Sequence, residues 1–272
     1  MSRRASNVRW RWQRRKGRKL VVAVGFALLS LVACRSDRSN QRQLRIFAPS
    51  SLTEVARALG KKFEADTPGA DVQLNLAGSQ TLRLQIEQGA PVDVFVSASQ
   101  DHMLALEEAG LMSDSVVLAE NALVVVVPSN NPARVEAFGD LPRASRIVVG
   151  APEVPVGKYT RVLLERAAVE LGAEFRREVE ARVVSREANV RLVLAKVELG
   201  EADAAIVYRT DVATARHVRA VAIPENIAPR AEYPVAIAKH APEPELAARW
   251  VALARGPEGR ALLEAAGFSV PP

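Results

Sequence analysis

The residues best suited to do chemistry in this chain are neutral hydrogen-bond donors gathered in five short segments. These are Ala48-Pro-Ser-Ser-Leu-Thr53, Ala77-Gly-Ser-Gln-Thr81, Pro155-Val-Gly-Lys-Tyr159, Ala188-Asn-Val-Arg191 and Ile206-Val-Tyr208. The first four stand where a helical pattern begins. There the leading backbone N–H groups have no intrahelical acceptor and the helix dipole is positive. Helix starts that converge on one cleft hold an anion without any fixed positive charge. The chemistry implied is reversible capture of a small oxyanion rather than a reaction upon it. Each segment alone has a plainer reading. Ser50 or Ser51, and Ser79, are ordinary helix caps; Pro155-Val156-Gly157 is a loop entering a helix; Tyr208 is a tyrosine at the edge of the core. Their common placement at strand ends and helix starts is what favours a site.

Catalytic constellations are missing from the sequence. His102, His217 and His240 are scattered, without metal-ligand spacing, and read as surface or helix-end histidines. The sole cysteine, Cys34, falls at the end of the N-terminal leader, outside the folded part, which removes a thiol nucleophile. No nucleophile elbow, phosphate loop or dinucleotide fingerprint occurs. Asp93 and Glu87 could be imagined as a carboxylate pair, but Asp93 precedes an apolar strand and reads as a residue that holds a loop. Neither an enzyme nor a bound cofactor is expected.

The elements that must position these donors alternate between strand and helix. Strand-length apolar runs fall at 44–48, 72–77, 92–97, 122–127, 147–150, 204–207, 218–223 and 235–238, and helical spacing at 51–65, 80–88, 100–109, 157–171, 189–199 and 245–255. The last of these is read as a single terminal helical region. This alternation predicts an α/β fold with mostly parallel sheets covered on both faces. Ala122–Val127 and the returning Glu232-Tyr-Pro-Val-Ala236 act as crossings between two lobes. The expected organisation is a first lobe of 44–122 plus 234–272, a second lobe of 123–233, and a ligand cleft between them beyond the strand ends.

Residues 1–33 read as an export signal. Arg3 to Lys19 holds nine basic residues and no acid, followed by the uncharged apolar stretch Leu20–Ala33. That stretch is short of the about 20 apolar residues a membrane-spanning helix needs. It ends Leu31-Val32-Ala33-Cys34, a lipobox-like pattern that predicts lipidation of Cys34, with 34–43 as a linker. The expected location is periplasmic, anchored to a membrane by that lipid. The leader also explains the charge. The chain carries 37 basic and 31 acidic residues; without the nine basic residues of the leader 28 remain against 31, a net of about −3. The basic balance therefore gives no reason to expect a nucleic-acid partner.

From Leu44 to Phe268 the sequence resembles the molybdate-binding proteins of bacterial molybdate ABC transporters. The resemblance is carried by Phe47-Ala-Pro-Ser-Ser-Leu-Thr53, Ala77-Gly-Ser-Gln-Thr-Leu82, Gln85-Ile86-Glu87 and Gly89-Ala-Pro-Val-Asp-Val-Phe95. It continues through Gly150-Ala-Pro-Glu153, Val154-Pro-Val-Gly-Lys-Tyr159, Ile206-Val-Tyr208 and Glu232-Tyr-Pro-Val235. Gly78 stands where some members carry serine. The resemblance implies a type II periplasmic-binding-protein fold, with molybdate or tungstate held as an oxyanion. It implies hydroxyl donors at Ser51, Ser79 and Tyr208, and backbone N–H donors at Val156 and Val190, whose side chains matter little. It further implies delivery to ABC permease subunits by a monomer. The alternatives are a binding protein for another tetrahedral oxyanion such as sulfate or phosphate, or for an iron complex. The effector domain of a transcriptional regulator would need a helix-turn-helix segment, where this chain has an export signal.

Overall fold

Apolar runs and helical spacing fold as nine strands and nine helices among the described residues of the computed structural model, 41–271. The strands are β1 (Arg42–Pro49), β2 (Ala70–Ala77), β3 (Val94–Val96), β4 (Val116–Pro128), β5 (Ile147–Gly150), β6 (Val183–Glu187), β7 (Ala204–Tyr208), β8 (Val218–Val221) and β9 (Arg230–Ile237). The helices are α1 (Thr53–Asp66), α2 (Ser79–Glu87), α3 (Gln100–Glu108), α4 (Pro155–Glu170), α5 (Ala173–Ala181), α6 (Val190–Glu198), α7 (Arg209–Val212), α8 (Pro244–Arg255) and α9 (Pro257–Ala265). The leader, Cys34 and most of the expected linker lie outside the described residues. Strand pairing begins at Arg42, so the linker ends two residues earlier than expected.

The strands join in the order β2-β1-β3-β9-β4-β7-β5-β6, with β8 also paired to β4. This is the two-lobed α/β arrangement, but its strands are less parallel than the strand–helix alternation suggests. Four pairings are parallel and four antiparallel, because every pairing made by β4 or β9 is antiparallel. Strand β4 changes partners along its length: Val116–Ala122 pairs with β9, Leu123–Val126 with β7 and Val125–Pro128 with β8. Strand β9 already pairs at Arg230, so the expected boundary at 233/234 falls inside a strand rather than between lobes.

Four elements escape the sequence reading, one of them the four-residue helix α7 after β7. Strand β6 is a five-residue edge strand of half-polar sequence, with no continuous apolar run. Helix α5 buries only Phe175 and Val179, one residue per turn on an otherwise charged surface. The terminal region is two helices, broken at Gly256 before Pro257, whose ring cannot continue the preceding helix. Helix α1 shows why the long helices are legible: Val55, Ala56, Leu59, Gly60 and Phe63 form one buried stripe against the sheet.

Candidate functional site

The carboxyl ends of β1, β2, β5, β6 and β7 face one small cavity, and a helix or turn starts at each. After β1 comes the 3-10 turn Ser50–Leu52, which Thr53 Oγ1 closes by donating to the Ser50 carbonyl at 2.7 Å. Strand β2 leads through Gly78 into α2, whose first residue is Ser79. Strand β5 leads into α4, with Pro155 in its first turn and Val156 next. Proline is suited to that place because it has no N–H to leave unsatisfied. Strand β6 leads into α6, where the Asn189 side chain caps the helix by accepting from Leu192 N–H at 3.1 Å. Strand β7 ends at Tyr208.

The sequence-predicted residues Ser51, Ser79, Val156, Val190 and Tyr208 all line this cavity, each at most 4% exposed. None of the thirteen lining residues carries a charge. The cavity is about 10 Å³, the scale of one water-sized occupant, which suits a small ligand. The Tyr208 hydroxyl is buried and has no hydrogen-bond partner. Burial pushes this phenol well above its ordinary pKa, so it keeps its hydrogen. A buried, unpartnered donor of this kind costs about 1–3 kcal/mol unless something occupies the space before it.

The other hydroxyls are held from behind. Ala98 N–H donates to Ser79 Oγ at 3.0 Å, and Ser51 Oγ lies 2.9 Å from the hydroxyl of Tyr233. At the starts of α4 and α6 the first intrahelical bonds come from Lys158 and Val193 N–H. The N–H groups of Val156 and Val190 therefore precede the helical ladder. The side chains of Val156 and Val190 are both packed in the core.

The cation nearest in sequence, Arg191, is already engaged. Its guanidinium donates to the Ser50 carbonyl at 3.2 Å and to Thr214 Oγ1 at 2.8 Å, pairs with Glu54, and lies 3.3 Å from Asp211 Oδ1. Asp211 is fully buried, and that burial raises its carboxyl to about 7 against the pull of Arg191. Its other oxygen accepts Tyr208 N–H at 3.2 Å. Further contacts run beside the cavity: Gln80 Nε2 donates to the Ala188 carbonyl at 2.7 Å, and Lys158 meets Asp101 at 2.7 Å.

Two readings change. His102 is buried rather than a surface residue; its Nε2 donates to the Glu153 carbonyl at 3.0 Å, and burial lowers its pKa. Tyr233, which the sequence leaves without a role, reaches Ser51. The one sequence signal for it is its place in the Glu232-Tyr-Pro-Val235 run. Asp93 does hold chain segments together: its carboxylate accepts Arg45 and Glu243 N–H at 2.7 and 2.6 Å. No group of acids, histidines and cysteines suited to a metal ion occurs among the described residues.

Residues 44–269 match the family described as bacterial extracellular solute-binding protein. The chain is 34% identical over 253 residues to the molybdate-binding protein ModA of Mycobacterium tuberculosis, covering 89% of this chain and 93% of that one. It is 32% identical over 210 residues to a putative ABC transporter substrate-binding lipoprotein, YvgL, of Bacillus subtilis, covering 74% and 78%. Its fold is shared with the periplasmic molybdate-binding protein of Azotobacter vinelandii, with a TM-score of 0.73 at 22% identity over 84% of this chain and all of that one.

Proposed function

The chain belongs to the bacterial extracellular solute-binding protein family, and on that premise we propose that it captures molybdate or tungstate and delivers it to an ABC permease. Members of this family bind solutes, and this chain is a binding protein rather than an enzyme. The observation that carries the choice of ligand is the set of neutral donors around a small uncharged cavity, where the buried Tyr208 hydroxyl has no hydrogen-bond partner in the protein. A fully deprotonated tetrahedral dianion accepts hydrogen bonds on every side. The donors compensate its charge through dipoles, without a lysine or arginine. An oxyanion that keeps a proton brings an O–H to a wall of donors, leaving polar groups unpaired. The names of the curated relatives support the same ligand class.

In this reading Ser51, Ser79 and Tyr208 donate through hydroxyls, and Val156 and Val190 through backbone N–H. Residues 44–122 with the C-terminal segment form one lobe and the middle of the chain the other, closing around the ion. The partner change within β4 at Ala122/Leu123 supports a crossing there. The contacts of Gln80 with Ala188 and of Arg191 with Ser50 and Glu54 join the two proposed lobes at the mouth. Cys34 carries a lipid that tethers the receptor near its permease and so raises its effective concentration there; the lipoprotein YvgL supports that anchor.

Titration calorimetry of the chain from Cys34 onward with molybdate, tungstate, sulfate and phosphate tests the reading. Tight, comparable binding of the first two and little of the others is expected. Tight phosphate or sulfate binding without a molybdate response would replace it with another oxyanion.

A further inference from the structure

Behind the cavity lies a polar chain that the donor set alone does not require. Tyr233 is fully buried on β9, its hydroxyl 2.9 Å from Ser51 Oγ. On its other side the Asn121 amide nitrogen lies 3.5 Å from the same hydroxyl and donates to Thr210 Oγ1 at 2.8 Å. Ala122 N–H donates to Asn121 Oδ1 at 2.9 Å, which fixes which end of that amide faces Tyr233. An amide NH2 can only donate. The phenol oxygen is thus placed to receive from Asn121, which favours sending its single hydrogen toward Ser51. The ring is held edge-on by Tyr208 at 6.0 Å and by Phe268 at 5.3 Å between centroids, so its hydroxyl has little freedom to turn away.

A serine hydroxyl has one hydrogen and can face an anion with that hydrogen or with its lone pairs. The second orientation is repulsive. If Ser51 gave its hydrogen to Tyr233, only lone pairs would face the cavity. If Ser51 accepts from Tyr233, its own hydrogen must go elsewhere, and the cavity is the open direction. Ser79 is set in the same way by a backbone N–H, from Ala98. Ser51 has no such backbone donor behind it, and Tyr233 takes that place.

We propose that Tyr233 is a positioning residue for anion recognition: by donating to Ser51 Oγ it makes Ser51 a donor toward the cavity, and thereby sharpens the preference for oxyanions without a proton. This rests on the oxyanion reading above and adds the residue that enforces it. Asn121 is the next link, polarising the phenol from behind.

A double-mutant cycle tests it, using tungstate and phosphate as probes and calorimetry at a pH where phosphate keeps one proton. Tyr233→Phe retains the ring and its packing and removes only the hydroxyl. It should weaken tungstate binding about tenfold, the scale of one hydrogen bond to a charged group, and leave phosphate binding unchanged or stronger, so the ratio between the two falls. In a Ser51→Ala background the same substitution should change tungstate affinity less than twofold, because Tyr233 acts only through Ser51. Asn121→Ala should show the same dependence on Ser51 with a smaller loss. Thermal unfolding without ligand identifies any variant whose fold has suffered, and the other then carries the cycle. Losses that add in the double variants, or an unchanged tungstate-to-phosphate ratio, would overturn the proposal while leaving the oxyanion reading intact. Failure of the unsubstituted chain to bind tungstate or molybdate would overturn both.

Discussion

Replacing Gly78 by alanine asks for a methyl group where the proposed closed site has no room. Gly78 has φ −67° and ψ 142°, an extended conformation that any residue adopts, so backbone strain is not the reason for glycine here. The reason is space. A Cβ at this position would lie 2.6 Å from the Ala188 carbonyl oxygen, about 0.8 Å short of the 3.4 Å at which ordinary contact begins, and 2.5 Å from the Gln80 amide. The Gln80 side chain can swing aside; the Ala188 backbone, at the entry to α6, cannot move without shifting Val190. Overpacking of this size costs about 1–3 kcal/mol, or roughly 5- to 150-fold in affinity at 1.4 kcal/mol per tenfold. In the lobe assignment above, Gly78 and Ala188 lie on opposite sides of the cleft, so the cost falls on closure and not on folding. Calorimetry should therefore show weaker molybdate binding, while the unliganded melting temperature stays within a few degrees of the parent. Unchanged affinity would refute the steric argument. An unliganded protein destabilised as much as binding would refute the assignment of this contact to closure. Gly157→Ala supplies the contrast: its Cβ would lie 2.0 Å from the Ala151 carbonyl oxygen of its own loop, so it should destabilise the fold with or without ligand.

The remaining predictions concern the donors, a buried acid and the anchor. Tyr208→Phe should weaken molybdate binding by about 1.5–3 kcal/mol in calorimetry without lowering the unliganded melting temperature, because the lost hydroxyl has no partner in the protein. Val190→Pro should abolish most binding yet fold, since the first turn of a helix tolerates proline and only the N–H is lost; Val190→Ala should bind normally but melt lower, its side chain being buried. For Asp211, a folded pKa of about 7 lies above the unfolded value of about 3.9. The folded chain thus holds a proton that the unfolded chain has released, and this group's contribution is full below pH 4 and is lost as pH rises to 7. Asp211→Asn should flatten the decline in urea-unfolding stability between pH 5 and 7; parallel profiles for parent and variant would contradict this. Mass spectrometry of the protein from cells should find a diacylglycerol on Cys34, and Cys34→Ser should release it from the membrane; a mature protein that begins upstream of Cys34 would rule the anchor out.

Four of the five cavity segments were legible because each combines a strand-length apolar run with a turn or helix start, and such junctions fall at the same end of an α/β sheet; the fifth, at 188–191, follows the half-polar β6 and was marked by its helix start alone. Serine, proline and asparagine at those junctions, at 51, 79, 155 and 189, also mark them locally. The residues behind the cavity left no such trace. Tyr233 and Asn121 lie inside strands, where a polar side chain reads as one more member of an alternating pattern. Their meaning depends on β4 and β9 lying antiparallel beside each other, a pairing between residues more than a hundred positions apart. The partners of Arg191 likewise emerge only when α6 is set against the turn after β1. The missed helix α5 and strand β6 bury too little to announce themselves.

The partner change inside β4 bears on how opening would look to a solvent-exchange experiment. A connection made by a loop would expose its amides each time the lobes part. Here the passage lies within a thirteen-residue strand whose Leu123–Val127 stretch is buried and paired to β7 and β8. Parting the lobes as a twist along this strand would break none of its ladder bonds. The amides of 123–127 should then exchange only through the larger unfolding that releases the whole sheet. Those of the cavity turns at Ser79 and Val190 should gain their protection from the ligand. The receptor could then load and unload many times with its backbone ladder at the crossing never opening to water.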